Sequence, residues 1–166
     1  MLDIDHFKKY NDRNGHMLGD EVLRQVAEIL RKNTRSVDTV ARFGGEEFVV
    51  ILPGQDKASS AQVAEKLRQA IEKHPFPREH TQPGGKVTAS LGVSEFPADA
   101  DAPDALLEAA DLALYASKHA GRNRTTAYDV KLRQMEQERQ RQLEAKRQRR
   151  KRRKFNPRKM EVVDPT

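Results

Sequence analysis

At 166 residues and 36% hydrophobic content, the chain is long enough to bury one real core and too short for two, and its lack of cysteine excludes disulfides and thiolate metal sites. Its net charge of +6 is unevenly spread: residues 131–166 carry 14 Lys or Arg against 5 acids, and residues 1–130 carry 17 against 20, so the basicity belongs to a C-terminal extension. No apolar run approaches the ~18 residues of a membrane span and an acid closely follows Met1, which predicts neither a span nor a signal peptide and a cytoplasmic setting.

Residues 1–4 read as a short strand running out at Asp3 and Asp5, two carboxylates at i and i+2 on one face. Hard divalent cations take carboxylate and carbonyl oxygens and keep positions open for phosphate, so this strand end is a plausible cradle once a further acid approaches. Residues 7–13 predict a helical turn that Asn14-Gly15 stops. Residues 18–32 follow as an amphipathic helix, with Leu18, Val22, Val26, Ile29 and Leu30 on one stripe and Asp20-Glu21 in its first turn, where negative charge suits the dipole.

Residues 39–52 predict a hairpin turned by Gly44-Gly45, with positive φ expected at both glycines. Glu46 and Glu47 follow at once. Neighbours on a strand point to opposite faces, so the two acids cannot act as one unit by themselves; they read either as a solvated turn or as carboxylates awaiting a cation. Pro53-Gly54 ends the hairpin. A second amphipathic helix is expected over 58–73, a strand over 87–96 after Gly84-Gly85, a third helix over 103–119 and a short last strand over 125–128. That order predicts an α+β fold with a mainly antiparallel central sheet flanked by helices.

Beyond residue 129 the chain is rich in Gln, Glu, Arg and Lys, with Leu132, Met135 and Leu143 the large apolar residues before Phe155. Such a stripe is too sparse for a coiled coil, and residues 130–166 read as a basic tail, disordered or partly helical. The cluster over 147–154 offers charge for a nucleic acid or an anionic membrane surface. No aromatic interleaving accompanies it, which favours a non-specific contact.

Four motifs stand in order: Asp3-Ile4-Asp5-x-Phe7-Lys8-x-x-Asn11-Asp12, Gly15-His16-x-x-Gly19-Asp20, Gly44-Gly45-Glu46-Glu47-Phe48 and Lys118-x-x-Gly121-Arg122-Asn123. Over residues 1–129 the chain therefore resembles a GGDEF domain of the diguanylate cyclase family. The resemblance implies a palm-like sheet shared with nucleotide cyclases and polymerases, and condensation of two GTP into cyclic di-GMP with release of pyrophosphate. It implies that Asp3, the Ile4 carbonyl and Glu46 hold Mg²⁺ (or Mn²⁺), with Glu47 at a second metal or acting as base near the attacking hydroxyl. Two metals can stabilise the attacking and departing oxygens together.

The same resemblance places Lys8 against the triphosphate, Asn11 and Asp20 on the guanine edge, and His16 near the ribose or base. Taken alone, Asn11 and Asp20 read rather as caps, His16 as structural and Lys8 as a surface lysine. Lys118 and Arg122 are spaced i, i+4, so one helix face would bring both cations to a polyphosphate; an exposed basic pair is the plain alternative. Arg35-x-x-Asp38 resembles the family's inhibitory site for the cyclic product, or else is a helix-end ion pair. Catalysis in the family requires an antiparallel homodimer with one GTP per subunit.

The family's domain ordinarily opens with a helix and a Leu-Thr-Gly-Leu-x-Asn-Arg segment ahead of the strand that ends at Asp3. Here two residues precede Asp3, so Met1 reads as an internal methionine of an N-terminally truncated, less stable domain. Three functions then compete: a diguanylate cyclase, a non-catalytic receptor for GTP or cyclic di-GMP, and a nucleic-acid-binding protein acting through its tail.

Overall fold

The computed structural model describes residues 1–154 and the side chains of residues 1–149. Its elements are β1 (Leu2–Ile4), α1 (Phe7–Asn14), α2 (His16–Lys32), β2 (Thr39–Arg42), β3 (Glu47–Ile51), α3 (Lys57–Lys73), β4 (Ala89–Val93), α4 (Pro103–His119), β5 (Thr125–Ala127) and α5 (Val130–Lys154), with two short 3₁₀ turns between α3 and β4. Among these residues the strands form one five-stranded sheet in the order β2-β3-β1-β4-β5. The pairs β2–β3, β1–β3 and β1–β4 are antiparallel and β4–β5 is parallel. The fold is α+β, with a sheet that is mainly antiparallel as expected.

Burial follows from that order. All five residues of β4 are buried, which suits a strand covered on both faces. Leu2 and Ile4 of β1, Phe48 of β3 and Leu91 of β4 share a core with Val22, Val26 and Leu30 of α2 and Leu67 and Ile71 of α3. On the other face Gly92 lets α4 come unusually close. A Cβ there would lie 2.1 Å from the Ala110 carbonyl oxygen and 2.2 Å from the Leu114 nitrogen, so only glycine permits this contact.

Local chemistry moves several boundaries. α1 is a true helix of eight residues, ended by Gly15 at φ +84°. α2 begins at His16, so Asp20 and Glu21 fall beyond its first turn, and Glu21 instead pairs with Arg24 at 2.6 Å. α3 starts at Lys57 because the Asp56 carboxylate accepts from the Ser59 N–H at 2.7 Å. β4 stops at Val93, short of the expected strand end. Just beyond it, Glu95 N–H donates to Asp99 and Lys57 N–H to the Glu95 carboxylate, and these bonds turn the chain out of the sheet.

The hairpin also differs from expectation. β2 ends at Arg42 and β3 begins at Glu47, and the N–H groups of Phe43 and Gly44 both donate to the Glu47 carbonyl, at 2.8 and 3.3 Å. Neither Gly44 nor Gly45 has positive φ. The Arg42 guanidinium donates to the Gly44 and Gly45 carbonyls, the shortest contact being 2.7 Å, and thereby holds a longer turn than the two-residue type predicted.

The chain divides into two units between Leu132 and Arg133. Along α5, Glu136 pairs with Arg139 at 2.8 Å. The expected basic cluster over 147–154 falls on its last turns. The side chains from position 150 onward, and residues 155–166 altogether, lie outside the described residues.

Candidate active site

Strand pairing assembles the acids. The antiparallel register of β1 and β3 sets Asp3 opposite Glu47, and the Ile4 N–H donates to the Glu46 carbonyl at 3.3 Å. Side chains directly opposite on one face stand roughly 4.5–5.5 Å apart at Cβ, and like charges so placed repel. Asp3 is also buried, with 8% of its side chain exposed. The compensation comes from α4, whose Lys118 ammonium lies 2.7 Å from Asp3 Oδ2.

The electrostatics register this crowding. Burial pushes the Asp3 carboxyl above its ordinary pKa, with Glu47 and Asp5 adding to the rise and the Lys118 contact opposing it. Burial likewise raises Glu46, and the charges of Asp3 and Glu47 add to it against Lys118. Acids held this way are short of positive charge, and their donors are the hard oxygens that Mg²⁺ or Mn²⁺ takes. The donor set thus fits a divalent cation. Among the described residues no three His, Cys, Asp or Glu side chains are already arranged around a metal position, and Asp3 Oδ2 faces the Lys118 ammonium.

Asp5 does not join this group as the i, i+2 pattern predicted. It lies past the end of β1, and both its oxygens accept hydrogen bonds from residues of or beside β4.

Asn11 and Asp20 are not caps. Asn11 sits inside α1 and Asp20 inside α2. The two helices meet where Gly19 lacks a Cβ: one built there would lie 1.8 Å from Asn11 Oδ1. That oxygen is buried and takes no hydrogen bond, an acceptor-bearing amide in want of a partner. Asp20, His16 and Lys8 are exposed.

Lys118 and Arg122 do not share a helix face. α4 ends at His119, and Gly121, at φ +115°, begins a Schellman-type turn in which the Arg122 N–H donates to the Ser117 carbonyl at 3.0 Å. Arg122 itself is left-handed at φ +65°. Its cation nevertheless bears on the end of β1: His6 is held below its ordinary pKa by burial first and by the Arg122 charge next.

Arg35 and Asp38 stand elsewhere. They flank the start of β2, at the end of the hairpin away from Glu46, roughly 15 Å off by strand rise. Arg35 closes on Asp38 through its guanidinium at 2.7 Å and its backbone N–H at 2.7 Å, and Nη2 also donates to the Pro53 carbonyl at 3.0 Å. The guanidinium holds the Asp38 carboxyl below its ordinary range.

The family profile described as diguanylate cyclase, GGDEF domain, matches residues 1–124. The chain belongs to this family. It is 46% identical over 123 residues to the response regulator PleD of Caulobacter vibrioides, covering 74% of this chain and 27% of that protein. It is 44% identical over 126 residues to diguanylate cyclase A of Treponema denticola, covering 76% and 33%. The chain thus spans 27% and 33% of the length of these two relatives. The GGDEF domain of DgcB from Caulobacter crescentus in complex with c-di-GMP superposes with a TM-score of 0.67 at 39% identity, over 76% of this chain and 74% of that one. The active GGEEF domain of a diguanylate cyclase from Vibrio cholerae gives 0.68 at 36% identity, over 77% and 80%.

Two further positions of this GGDEF domain, Gly92 and Asn123, owe their part to the fold. Gly92 sits in an apolar strand, and an isolated glycine there is the signal of a close backbone approach. Asn123 closes the last motif, and its left-handed φ of +46° and side-chain bonds to α3 are set by the fold.

Proposed function

We propose that this GGDEF domain, over residues 1–129, is a diguanylate cyclase that joins two GTP into cyclic di-GMP and pyrophosphate with Mg²⁺ or Mn²⁺. The observation that carries the reading is the buried Asp3 facing Glu47 across β1 and β3 with Lys118 as its counter-ion. Acids held against their own repulsion beside an ammonium counter-ion suit a site that takes a polyphosphate together with divalent cations.

The chain's own residues then divide the work. Asp3, the Ile4 carbonyl, Glu46 and Glu47 would hold the metal, which when bound supplies charge neutralisation at the reacting phosphate. Lys118, freed from Asp3, and Arg122 would take the triphosphate, with Lys8 stabilising charge that develops as pyrophosphate departs. The Asn11 amide and the Asp20 carboxylate would read guanine, Asp20 accepting its N–H donors, with His16 beside the ribose. Glu47 would accept the proton of the 3′-hydroxyl as its oxygen bonds the α-phosphorus and the bond to pyrophosphate breaks. Positioning and electrostatics carry such a transfer. Two reciprocal bonds close the ring, which needs a second subunit and its GTP.

Arg35 and Asp38 would form the product-inhibitory site, the guanidinium leaving Asp38 and Pro53 for the product's phosphate or guanine acceptors. That DgcB's domain was solved in complex with c-di-GMP supports product binding in this family. The basic tail would add at most a non-specific contact with nucleic acid or an anionic surface. Among the described residues no helix is long and apolar enough to cross a membrane. Incubation of the chain with GTP and Mg²⁺, followed by chromatography, should yield cyclic di-GMP, and Glu46→Gln with Glu47→Gln should abolish it. Absence of product, with GTP or cyclic di-GMP still bound, would make the domain a receptor instead.

A further inference from the structure

The turn after α4 carries Arg122, and its shape is fixed from outside. Gly121, Arg122 and Asn123 all have positive φ, at +115°, +65° and +46°, a conformation that Gly and Asn tolerate and that is unfavourable for Arg122. Something must hold it.

We propose that Asp5 is a positioning residue: its buried carboxylate locks the 121–124 turn so that the Arg122 guanidinium stands ready for the triphosphate. Asp5 is 3% exposed. Its Oδ1 accepts from Ser90 Oγ at 2.7 Å, and its Oδ2 accepts from Thr88 Oγ1 at 2.8 Å and from the Asn123 backbone N–H at 3.0 Å. Both oxygens are engaged, which separates Asp5 from the metal-seeking Asp3 two residues away. The bond to Asn123 joins the β1–α1 connection to the α4–β5 turn at the residue beside Arg122.

Asn123 extends the lock to α3. Its Nδ2 donates to Glu72 Oε1 at 2.7 Å, and its Oδ1 accepts from Arg68 Nη1 at 2.6 Å. On the far side the Leu91 N–H donates to the Arg124 carbonyl at 2.9 Å. The turn is therefore tied at consecutive residues to β4, α3 and Asp5, with the Arg122 side chain left exposed. The Arg122 charge acts on His6, the neighbour of Asp5, so the two turns lie close.

This inference rests on the reading of Arg122 as a triphosphate ligand, and the test separates the two. The probe is α,β-methylene GTP with Mg²⁺: carbon replaces the bridging oxygen of the bond that breaks, so binding is read by calorimetry without turnover. Arg122→Ala and Asp5→Ala should each weaken binding about tenfold or more, as loss of a hydrogen bond to a charged group does. Asp5→Asn should recover part of the loss, because its amide oxygen still accepts from the Asn123 N–H and the Ser90 hydroxyl can rotate to accept from its NH₂. The double variant Asp5→Ala/Arg122→Ala should bind no more weakly than Arg122→Ala alone. Wild-type affinity in Asp5→Ala, or losses that multiply in the double variant, overturns the proposal and leaves Arg122 as ligand. Wild-type affinity in Arg122→Ala overturns the ligand reading and the proposal with it. Should Asp5→Ala fail to fold, the same cycle built on Asp5→Asn decides.

Discussion

Substituting Gly92 by alanine tests how packing underlies the site. The added Cβ would lie 2.1 Å from the Ala110 carbonyl oxygen, 2.2 Å from the Leu114 nitrogen and 2.9 Å from the Ala113 carbonyl carbon, all helix backbone. Backbone cannot rotate out of the way as a side-chain tip can. Restoring an ordinary 3.4 Å contact needs α4 to retreat from β4 by about 1.3 Å. Overpacking of this kind costs about 1–3 kcal/mol, and a domain of this size loses roughly 3–5 °C of thermal midpoint per kcal/mol.

The same retreat reaches the acids. Lys118 lies one turn beyond Leu114 on α4, and its 2.7 Å contact with Asp3 would open toward about 4 Å, past hydrogen-bonding distance. Thermal melts and GTP turnover, measured on one preparation of Gly92→Ala, should therefore fall together. A midpoint and a turnover both unchanged from wild type would refute the close approach of α4 and the dependence of the site on it.

Gly19→Ala should displace the Asn11 carboxamide, 1.8 Å from the new Cβ, and raise KM for GTP roughly 2–10-fold in steady-state kinetics, in line with one perturbed hydrogen bond. Lys118→Met should lower stability by about 1–3 kcal/mol, less than a fully buried pair because Lys118 is partly exposed; melts in chelator should show the loss and added Mg²⁺ should recover part of it. Glu65, hydrogen-bonded first of all to Arg68, is held at about 2 against an ordinary 4.5. Its folded pKa is depressed, so its stabilisation is present above pH 4.5 and lost as pH falls toward about 2. Glu65→Gln should flatten the stability profile across that window in acid titrations followed by circular dichroism.

The order of elements was legible because periodicity is local: the apolar stripe of α2 and the run over 103–119 need no knowledge of partners. Boundaries failed where a side chain from elsewhere decided them. Lys57 and Asp99 end β4 by drawing the chain away after Val93, and Arg42 reshapes the glycine turn. Asp56 starts α3 one residue early by capping it, its carboxylate accepting from the Ser59 N–H. The spacing of Lys118 and Arg122 misled because an i, i+4 rule presumes that the helix continues, whereas Gly121 ends it.

The site was legible as residue types and illegible as chemistry. That Asp3 and the two glutamates belong together follows from motif resemblance; that Asp3 is buried follows only from β1 lying between β3 and β4. The central place of β1 removes Asp3 from water, sets it against Glu47 and brings α4 over it through the gap at Gly92. Its raised pKa, shared by Glu46, is thus a product of topology. The same carboxylates on an edge strand would be solvated, would repel one another weakly through water, and would hold a divalent cation with less force.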